Sequence, residues 1–384
     1  MDATIERQMD ARAQVGDTGA PDAVPSVVSG FLIALCRSHA GLADEPQLQT
    51  HHAVWGMIVA EAARHRMLPF VARYIAARPH LENGLRRLAE DALAVSRRRQ
   101  SAYRALTLEV QAALADAGVA SLCRKGAVYE RLLYDDQGLR PLGDLDLFVL
   151  PAKVEAAAER LQALGFFYGG FLDGAKEATA WGRQEVALYR LNPDHLPRLM
   201  RPADDPIVRA HYVDVATDVA WHRSPYSDAG RAFLEDQFAQ RVEIDGVVTL
   251  TLPGHFIDCV FHLYREAMYE NGIRGGNDAS IRKFLDVLML HGKMSAGARK
   301  ETAELIRRHA FEAPVAWVLV HLDAVFGTGL AQAYGLEGVV DPVELNSWRT
   351  SGNEVRRWQG AMVERMFRLD RRPLFAGWPQ DATG

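Results

Sequence analysis

The sequence predicts an α+β protein, in which a small mixed β-sheet is flanked by helical regions on its N-terminal and C-terminal sides. Three patterns support this prediction. Apolar residues follow helical spacing in residues 25–118, short strand-like runs alternate with helical segments in residues 119–220, and helical spacing returns after residue 253. A sheet with helices on one face is the usual arrangement for such an order of elements.

These patterns divide the chain of 384 residues into four predicted regions. They are a flexible leader at 1–24, an N-terminal helical region at 25–118, an α/β core at 119–252 and a C-terminal helical domain at 253–384. The leader mixes acidic and basic residues and has no apolar stretch, which does not fit a secretory signal.

The N-terminal region contains one long helix-forming segment. Residues Leu81–Ala117 are rich in Ala, Leu, Arg and Glu, which have high helix propensity. Gly118 follows directly and is a plausible stop, because glycine is common just after a helix.

In the core, short apolar or alternating runs predict strands and the intervening segments predict helices or turns. The predicted strands are Val119–Cys123, Leu145–Leu150, Phe166–Phe171, Glu185–Leu191, His211–Val219 and a hairpin in Glu243–Leu250 around Asp245-Gly246. A helix is predicted at Ala152–Leu164. Residues Asn192–Ala210 contain four prolines and no clear period, and we expect an irregular insertion there. From Pro253 to the end of the chain the pattern is helical.

Composition excludes several classes of protein. The formal net charge is −5 and the pI is about 6.2, which argues against a surface built to bind nucleic acid, although a local basic groove remains compatible with it. The three cysteines are far apart and predict reduced thiols in a cytoplasmic protein. The most apolar segment, Ala313–Leu322, is about half a membrane span, so no membrane anchor is expected.

Residues 124–148 carry the most informative motif. Asp144 and Asp146 are two residues apart on a predicted strand, so their side chains point to the same face. Two carboxylates so close repel each other, and a site that keeps both usually holds a cation. Hard oxygen ligands beside the Lys125-Gly126 turn suit Mg²⁺ and a nucleoside triphosphate.

Context separates this motif from chance. About six acid-x-acid triplets are expected by chance in a chain with 49 acidic residues. Glu243-x-Asp245 is one that we regard as uninformative. A third acid, Asp214, lies between two valines on a later predicted strand, where a buried carboxylate needs a partner.

Together these elements resemble the nucleotidyltransferase superfamily, which includes DNA polymerase β and the aminoglycoside nucleotidyltransferases. They are most similar to a bacterial group of uncharacterised nucleotidyltransferases, across roughly residues 28–290. The elements that carry the resemblance are Lys125-Gly126, the segment Tyr134–Arg140, Asp144-x-Asp146, Val213-Asp214-Val215 and the flanking stretches 60–69 and 281–290. Most superfamily members have Gly-Gly or Gly-Ser where this chain has Lys125-Gly126, and the closer group shares the Lys-Gly.

The resemblance implies a role for each motif residue. Asp144 and Asp146 would hold two Mg²⁺ ions, with Mn²⁺ as an alternative, and Asp214 would hold the ion that activates the acceptor hydroxyl or would act as its base. Gly126 would let the backbone approach the triphosphate. Lys125 and Arg140 would neutralise its charge.

Simpler interpretations stay open for several residues. Lys125 could be an exposed turn lysine, and Arg140 could instead pair with Asp144 and orient the strand. Arg282, a candidate triphosphate or acceptor contact, could simply pair with Asp286 at helical spacing.

The roles of two histidines are also left open. His262 lies in an apolar helix, where a core histidine is the common case. The role of His222 is undecided, because it comes later in the chain than the motif places a histidine.

The function implied is Mg²⁺-dependent transfer of NMP from an NTP to a hydroxyl or phosphate, with release of pyrophosphate. The acceptor would be a small molecule, a peptide or a protein. The alternative is a catalytically weak nucleotide sensor or a toxin–antitoxin-type regulator with the same fold. The acidic balance disfavours a third possibility, nucleotide addition to RNA.

Overall fold

The computed structural model describes residues 24, 26–134, 138–171, 178–189, 194–221, 224–276 and 278–378. It confirms the α+β class. The predicted leader, apart from residue 24, and His222 lie outside the described residues. The helices in chain order are α1 Ser26–His39, α2 His52–Arg64, α3 Leu68–Ala76, α4 Asn83–Asp116, α5 Gly126–Leu133, α6 Val154–Ala163, α7 Arg183–Tyr189, α8 Ser227–Gln240, α9 Leu252–Met268, α10 Glu270–Arg274, α11 Ile281–Lys293, α12 Ala296–Arg308, α13 Glu312–Phe326, α14 Leu330–Ala333, α15 Pro342–Leu345 and α16 Met362–Phe367.

The sheet is larger than predicted. The strands are β1 Ser121–Arg124, β2 Leu145–Val149, β3 Phe167–Phe171, β4 Ala178–Ala180, β5 Leu199–Pro202, β6 Ala210–Ala216, β7 Val242–Ile244, β8 Val247–Thr249, β9 Ser347–Arg349 and β10 Val355–Arg357. Within the described residues, eight of them form one mixed sheet in the order β4-β3-β5-β6-β2-β1-β8-β7. The pairs β2–β6 and β1–β8 are parallel and the others are antiparallel.

Helix α4 covers one face of the sheet with a regular buried stripe. The stripe follows alternating spacings of three and four residues, the pattern of an amphipathic helix. Its members are Leu93, Ser96, Gln100, Tyr103, Thr107, Val110 and Leu114. The helix ends as predicted at Gly118, whose φ of +67° suits glycine.

The C-terminal helices pack around α9, which contacts α11, α12 and α13. On the other side of α9, Asp258 forms a buried ion pair with Arg124 at the end of β1, and the Nε atom of Arg124 lies 3.1 Å from Asp258 Oδ2. The pair joins the sheet to the C-terminal helices. The predicted domain boundaries stay a prediction.

Three secondary-structure predictions were wrong. The predicted strand Glu185–Leu191 is largely helix α7, because the Glu185 carboxylate accepts a hydrogen bond of 2.6 Å from the Gly182 N–H and caps the helix start. Residues 190 and 191 lie outside the described part of the chain. The segment Asn192–Ala210 is not wholly irregular, since it contains β5. The C-terminal region is not wholly helical, since β9 and β10 form a hairpin.

The last part of the chain folds back onto α9 and the loop before α11. Asp278 in that loop is fully buried and pairs with Arg365, at 3.0 Å, and with Arg371. The Nη2 atom of Arg64 also donates to the carbonyl of Met366 at 2.6 Å. These contacts connect the C-terminal segment to the end of α2. None of the helices among the described residues has the length and apolar character needed to span a bilayer.

We expect Asp258→Ala to lower the free energy of unfolding by about 3–5 kcal/mol, because it leaves the buried Arg124 guanidinium without its counterion. Chemical denaturation checks this value. Asp228→Ala is the control, since the Asp228 carboxylate is 98% exposed in its pair with Arg231 and its loss should leave stability unchanged. An Asp258→Ala protein as stable as the Asp228→Ala protein would show that the Arg124–Asp258 pair does not stabilise the fold.

Candidate active site

The turn after β1 places a lysine in a backbone conformation that favours glycine. Lys125 has φ +52° and ψ −123°, a combination that L-residues rarely adopt. Its side chain crosses to β2, where Nζ lies 3.0 Å from Asp146 Oδ1. Strained backbone of this kind concentrates at functional sites.

The sheet brings two of the predicted acids to one face, and the third, Asp144, lies directly before β2. Asp146 on β2 is in register with Asp214 on the neighbouring parallel strand β6. Neighbouring strands lie about 4.8 Å apart, so these two carboxylates are close neighbours. Asp144 precedes Asp146 by two residues and lines the same cleft.

The pKa values of Asp144 and Asp146 are shifted in opposite directions. Burial raises the pKa of Asp144, and the nearby charge of Asp146 raises it further. Burial also acts to raise the pKa of Asp146, but the charges of Lys125 and Arg124 outweigh it and the net shift is downward. Of these two carboxylates, Asp146 is therefore the one that is held ionised more firmly.

The carboxylates of the cleft have the donor chemistry of a metal site. In the structure, however, two of them are paired with cationic side chains. Three carboxylates supply the hard oxygens that Mg²⁺ prefers. However, Asp146 pairs with Lys125, and Asp144 pairs with Arg198 at 3.1 Å. In the described residues no three acidic, histidine or cysteine groups converge on one ion position. Asp144, Asp146 and Asp214 could hold divalent ions after the paired cations move aside.

A cationic group lies at another part of the cleft and is organised by Asp286. Arg140 donates from Nε and Nη2 to the Asp286 carboxylate at 3.1 and 3.0 Å, and Arg282 donates from Nη1 at 3.2 Å. The Tyr134 hydroxyl donates to the same carboxylate at 2.7 Å. The proposed Arg140–Asp144 pair is therefore absent, while the Arg282–Asp286 pair is present.

The loop that carries Arg140 is held by polar members of the α4 stripe. Ser96 donates to the Gly138 carbonyl at 2.5 Å, Gln100 donates to the carbonyl of Arg140, and the Tyr103 hydroxyl donates to that of Gly143 at 2.7 Å. Polar residues that interrupt an otherwise apolar helix stripe are the sequence signal that marks these contacts.

The environment of Gly126 explains why a glycine follows Lys125. A Cβ at this position would come within 2.3 Å of Leu142 Cδ2 and 2.7 Å of Arg140 Nη1. Both contacts are too short for real Cβ atoms. The missing side chain therefore makes room for Leu142 and Arg140, whereas the sequence suggested room for a triphosphate.

All seven predicted site residues line one open cleft of about 270 Å³, close to the lower end of ligand-site volumes. They are Lys125, Gly126, Arg140, Asp144, Asp146, Asp214 and Arg282. Their proposed roles stay predictions.

The cleft also contains Glu266 and Lys283, which the sequence analysis missed, and His262, whose role it left open. Helix α9 presents His262 and Glu266 to the cleft at i and i+4, on the same side of the helix as the fully buried Asp258. His262 Nε2 lies 3.2 Å from Glu266 Oε2, and Lys283 also contacts Glu266. Burial and the charges of Lys125 and Lys283 lower the pKa of His262, so its imidazole is neutral at pH 7. Three arginines complete the lining: Arg64, Arg66 and Arg198.

A mixed sheet with an acidic triad at its face and a cationic cleft above it is an arrangement suited to phosphoryl or nucleotidyl transfer. Residues 51–327 match the model of the uncharacterised nucleotidyltransferase family, and the chain belongs to that family. The predicted superfamily resemblance is thereby confirmed. No curated protein matches the chain.

Lys125→Gly should be more stable than Lys125→Ala by about 1 kcal/mol, because only glycine relieves the positive φ. Both variants lose the ammonium that faces Asp146, so the comparison isolates the backbone term. Chemical denaturation of the two proteins measures the difference. An alanine variant as stable as the glycine variant would show that the turn is not strained.

Gly126→Ala should destabilise the protein by about 1–3 kcal/mol, since its Cβ displaces Leu142 and Arg140 in a packed region. Gly143→Ala is the matched control, because nothing lies within 4 Å of a Cβ built there. Unfolding in denaturant should separate the two variants, and an equally stable Gly126→Ala would disprove the steric argument.

Proposed function

We propose that the protein transfers NMP from an NTP to a hydroxyl or phosphate group of a small molecule, peptide or protein, and releases pyrophosphate. The observation that carries the proposal is the register of Asp146 with Asp214 in a cleft that also contains cations. Family membership supports nucleotidyl transfer in general. The kind of acceptor and the kind of NTP are part of the proposal and go beyond what family membership supports.

The proposed cofactor is Mg²⁺, with Mn²⁺ as an alternative, held by Asp144, Asp146 and Asp214. When bound, such ions neutralise phosphate charge and lower the pKa of a coordinated hydroxyl. Lys125, whose ammonium contacts Asp146 in the structure, is placed to turn that ammonium toward the phosphates.

In the proposed reaction an acceptor oxygen attacks the α-phosphorus, and the bond from that phosphorus to the pyrophosphate oxygen breaks. The acceptor proton passes to the Asp214 carboxylate, which has no ion-pair partner among the described residues. Arg140 and Arg282 neutralise the charge that develops on the leaving pyrophosphate. Their shared anchor on Asp286 fixes both guanidiniums before the nucleotide arrives.

One observation favours the second candidate, a catalytically weak nucleotide-binding protein. Asp146 and Asp144 are already neutralised by Lys125 and Arg198, which would oppose metal binding if those pairs persisted. Titration with ATP and Mg²⁺, followed by measurement of pyrophosphate, separates the two candidates. Binding without pyrophosphate release across a broad acceptor screen would favour the sensor.

Asp146→Asn should reduce NMP transfer at least about 100-fold, because it removes the carboxylate charge at the centre of the triad. The assay is pyrophosphate release together with mass spectrometry for added NMP after incubation with an NTP and cell extract. Circular dichroism should show an intact fold.

Glu243→Gln is the control for this experiment. It neutralises an exposed carboxylate in the other acid-x-acid motif, in the β7–β8 hairpin, and should retain full activity. Wild-type activity in Asp146→Asn would rule out the proposed chemistry.

A further inference from the structure

Arg66 occupies a backbone position that normally belongs to glycine. Helix α2 ends in a Schellman motif, in which the N–H of Arg66 donates to the carbonyl of Ala63 at 2.9 Å and the N–H of Met67 to that of Ala62 at 2.6 Å. The residue that closes this motif has a positive φ, and Arg66 has φ +56°. Glycine is the usual residue here, because a Cβ makes this conformation unfavourable.

The side chain of Arg66 is placed to meet a ligand. It is exposed and lines the same cleft as the acidic triad. Within the described part of the chain it makes no salt bridge, whereas the neighbouring Arg64 pairs with Glu61 at 2.6 Å. Arg66 therefore brings an uncompensated positive charge to the cleft.

Arg66 lines the same cleft as the two arginines that pair with Asp286. Burial lowers the pKa of Arg282, and the charges of Arg140 and Arg66 lower it further. Arg66, Arg140 and Arg282 thus bring three positive charges to the cleft. The Asp286 carboxylate, which binds Arg140 and Arg282, offsets one of them and leaves a surplus of two. The Nε atom of Arg282 is also buried and has no hydrogen-bond partner in the described structure. A buried donor of this kind calls for an acceptor.

We propose that Arg66, Arg140 and Arg282 form the binding site for the terminal two phosphates of the nucleotide, and hence for the pyrophosphate product. The inference rests on the proposed function and adds Arg66 as a ligand-binding residue. A pyrophosphate group carries several negative charges on adjacent phosphates, which matches the surplus charge and the planar donors of guanidinium groups.

The backbone geometry supports a functional reason for this arginine. Non-glycine residues with positive φ in the described chain are Arg66, Lys125, Asp245, Ala310 and Asn353. The two cationic members both line the cleft, and the other three do not. Strain that is retained where a charge faces a cleft indicates that the side chain is needed there.

Ala310 provides a matched control for the effect of a positive φ on stability. Ala310 closes an equivalent Schellman motif after α12, where its N–H donates to Arg307 and the N–H of Phe311 donates to Ile306. Ala310 has φ +52° and lies outside the cleft. Ala310→Gly and Arg66→Gly should therefore both raise the Tm, while only the second removes a cleft charge.

The test is calorimetric titration of the full-length protein with inorganic pyrophosphate and, separately, with NTP. Arg66→Gln and Arg66→Gly should each bind pyrophosphate about 10- to 100-fold more weakly than the wild type, the loss expected for charge-assisted hydrogen bonds. Ala310→Gly should bind pyrophosphate as the wild type does.

Two results would overturn the inference. Unchanged pyrophosphate affinity in Arg66→Gln, with wild-type binding intact, would show that Arg66 serves another purpose while the proposed function stands. Failure of the wild type to bind either pyrophosphate or NTP would remove both the inference and the proposed function.

Discussion

Two carboxylates on adjacent parallel strands repel each other, and the cationic side chains around the cleft compensate for this repulsion. The register of β2 with β6 brings Asp146 and Asp214 side by side, and Asp144 adds a third negative charge. Such a group is stable only with positive charge nearby. The chain supplies it from two directions: Lys125 contacts Asp146 directly, and Arg124 lowers the pKa of the same carboxylate.

The cations around the cleft differ in how firmly they are held. Arg124 is fixed by the buried Asp258, and Arg140 and Arg282 are fixed by Asp286. Lys125 and Arg66 are held through unusual backbone conformations. The arginines that buried carboxylates fix are preorganised, as transfer of a phosphorylated group requires. Lys125, in contrast, has to leave Asp146 before that carboxylate is open to a ligand.

Much of this arrangement was predictable from the sequence because its signals are local. Strand alternation placed Asp144 and Asp146 on one face, the isolated acid in Val213–Val215 marked Asp214, and the Asp-Gly pair predicted the β7–β8 hairpin. The resemblance linked these elements into one site. The end of α4 at Gly118 followed from the preference of glycine for positive φ.

The remaining features depend on contacts between distant parts of the chain. Arg140 pairs with Asp286, 146 residues away, and no local pattern indicates that partner. Strand β5 forms in a proline-rich segment because β3 and β6 provide its hydrogen bonds on both sides. The cleft position of Arg66 depends on how α2 packs against the rest of the molecule. The sequence placed Arg66 only in the flanking stretch 60–69 that carries part of the resemblance.

The C-terminal segment that folds back onto α9 has a consequence for how the boundaries of this protein are drawn. The family match ends at residue 327, yet Arg365 and Arg371 neutralise Asp278 in the loop that leads into α11, and the cleft residues Gly276 and Ser280 flank that aspartate. A protein truncated at the family boundary would lose both arginines that pair with this carboxylate. The loop that carries these two cleft residues would then lose its contacts with the C-terminal segment, so the smallest unit that keeps the cleft intact extends beyond the segment matched by the family.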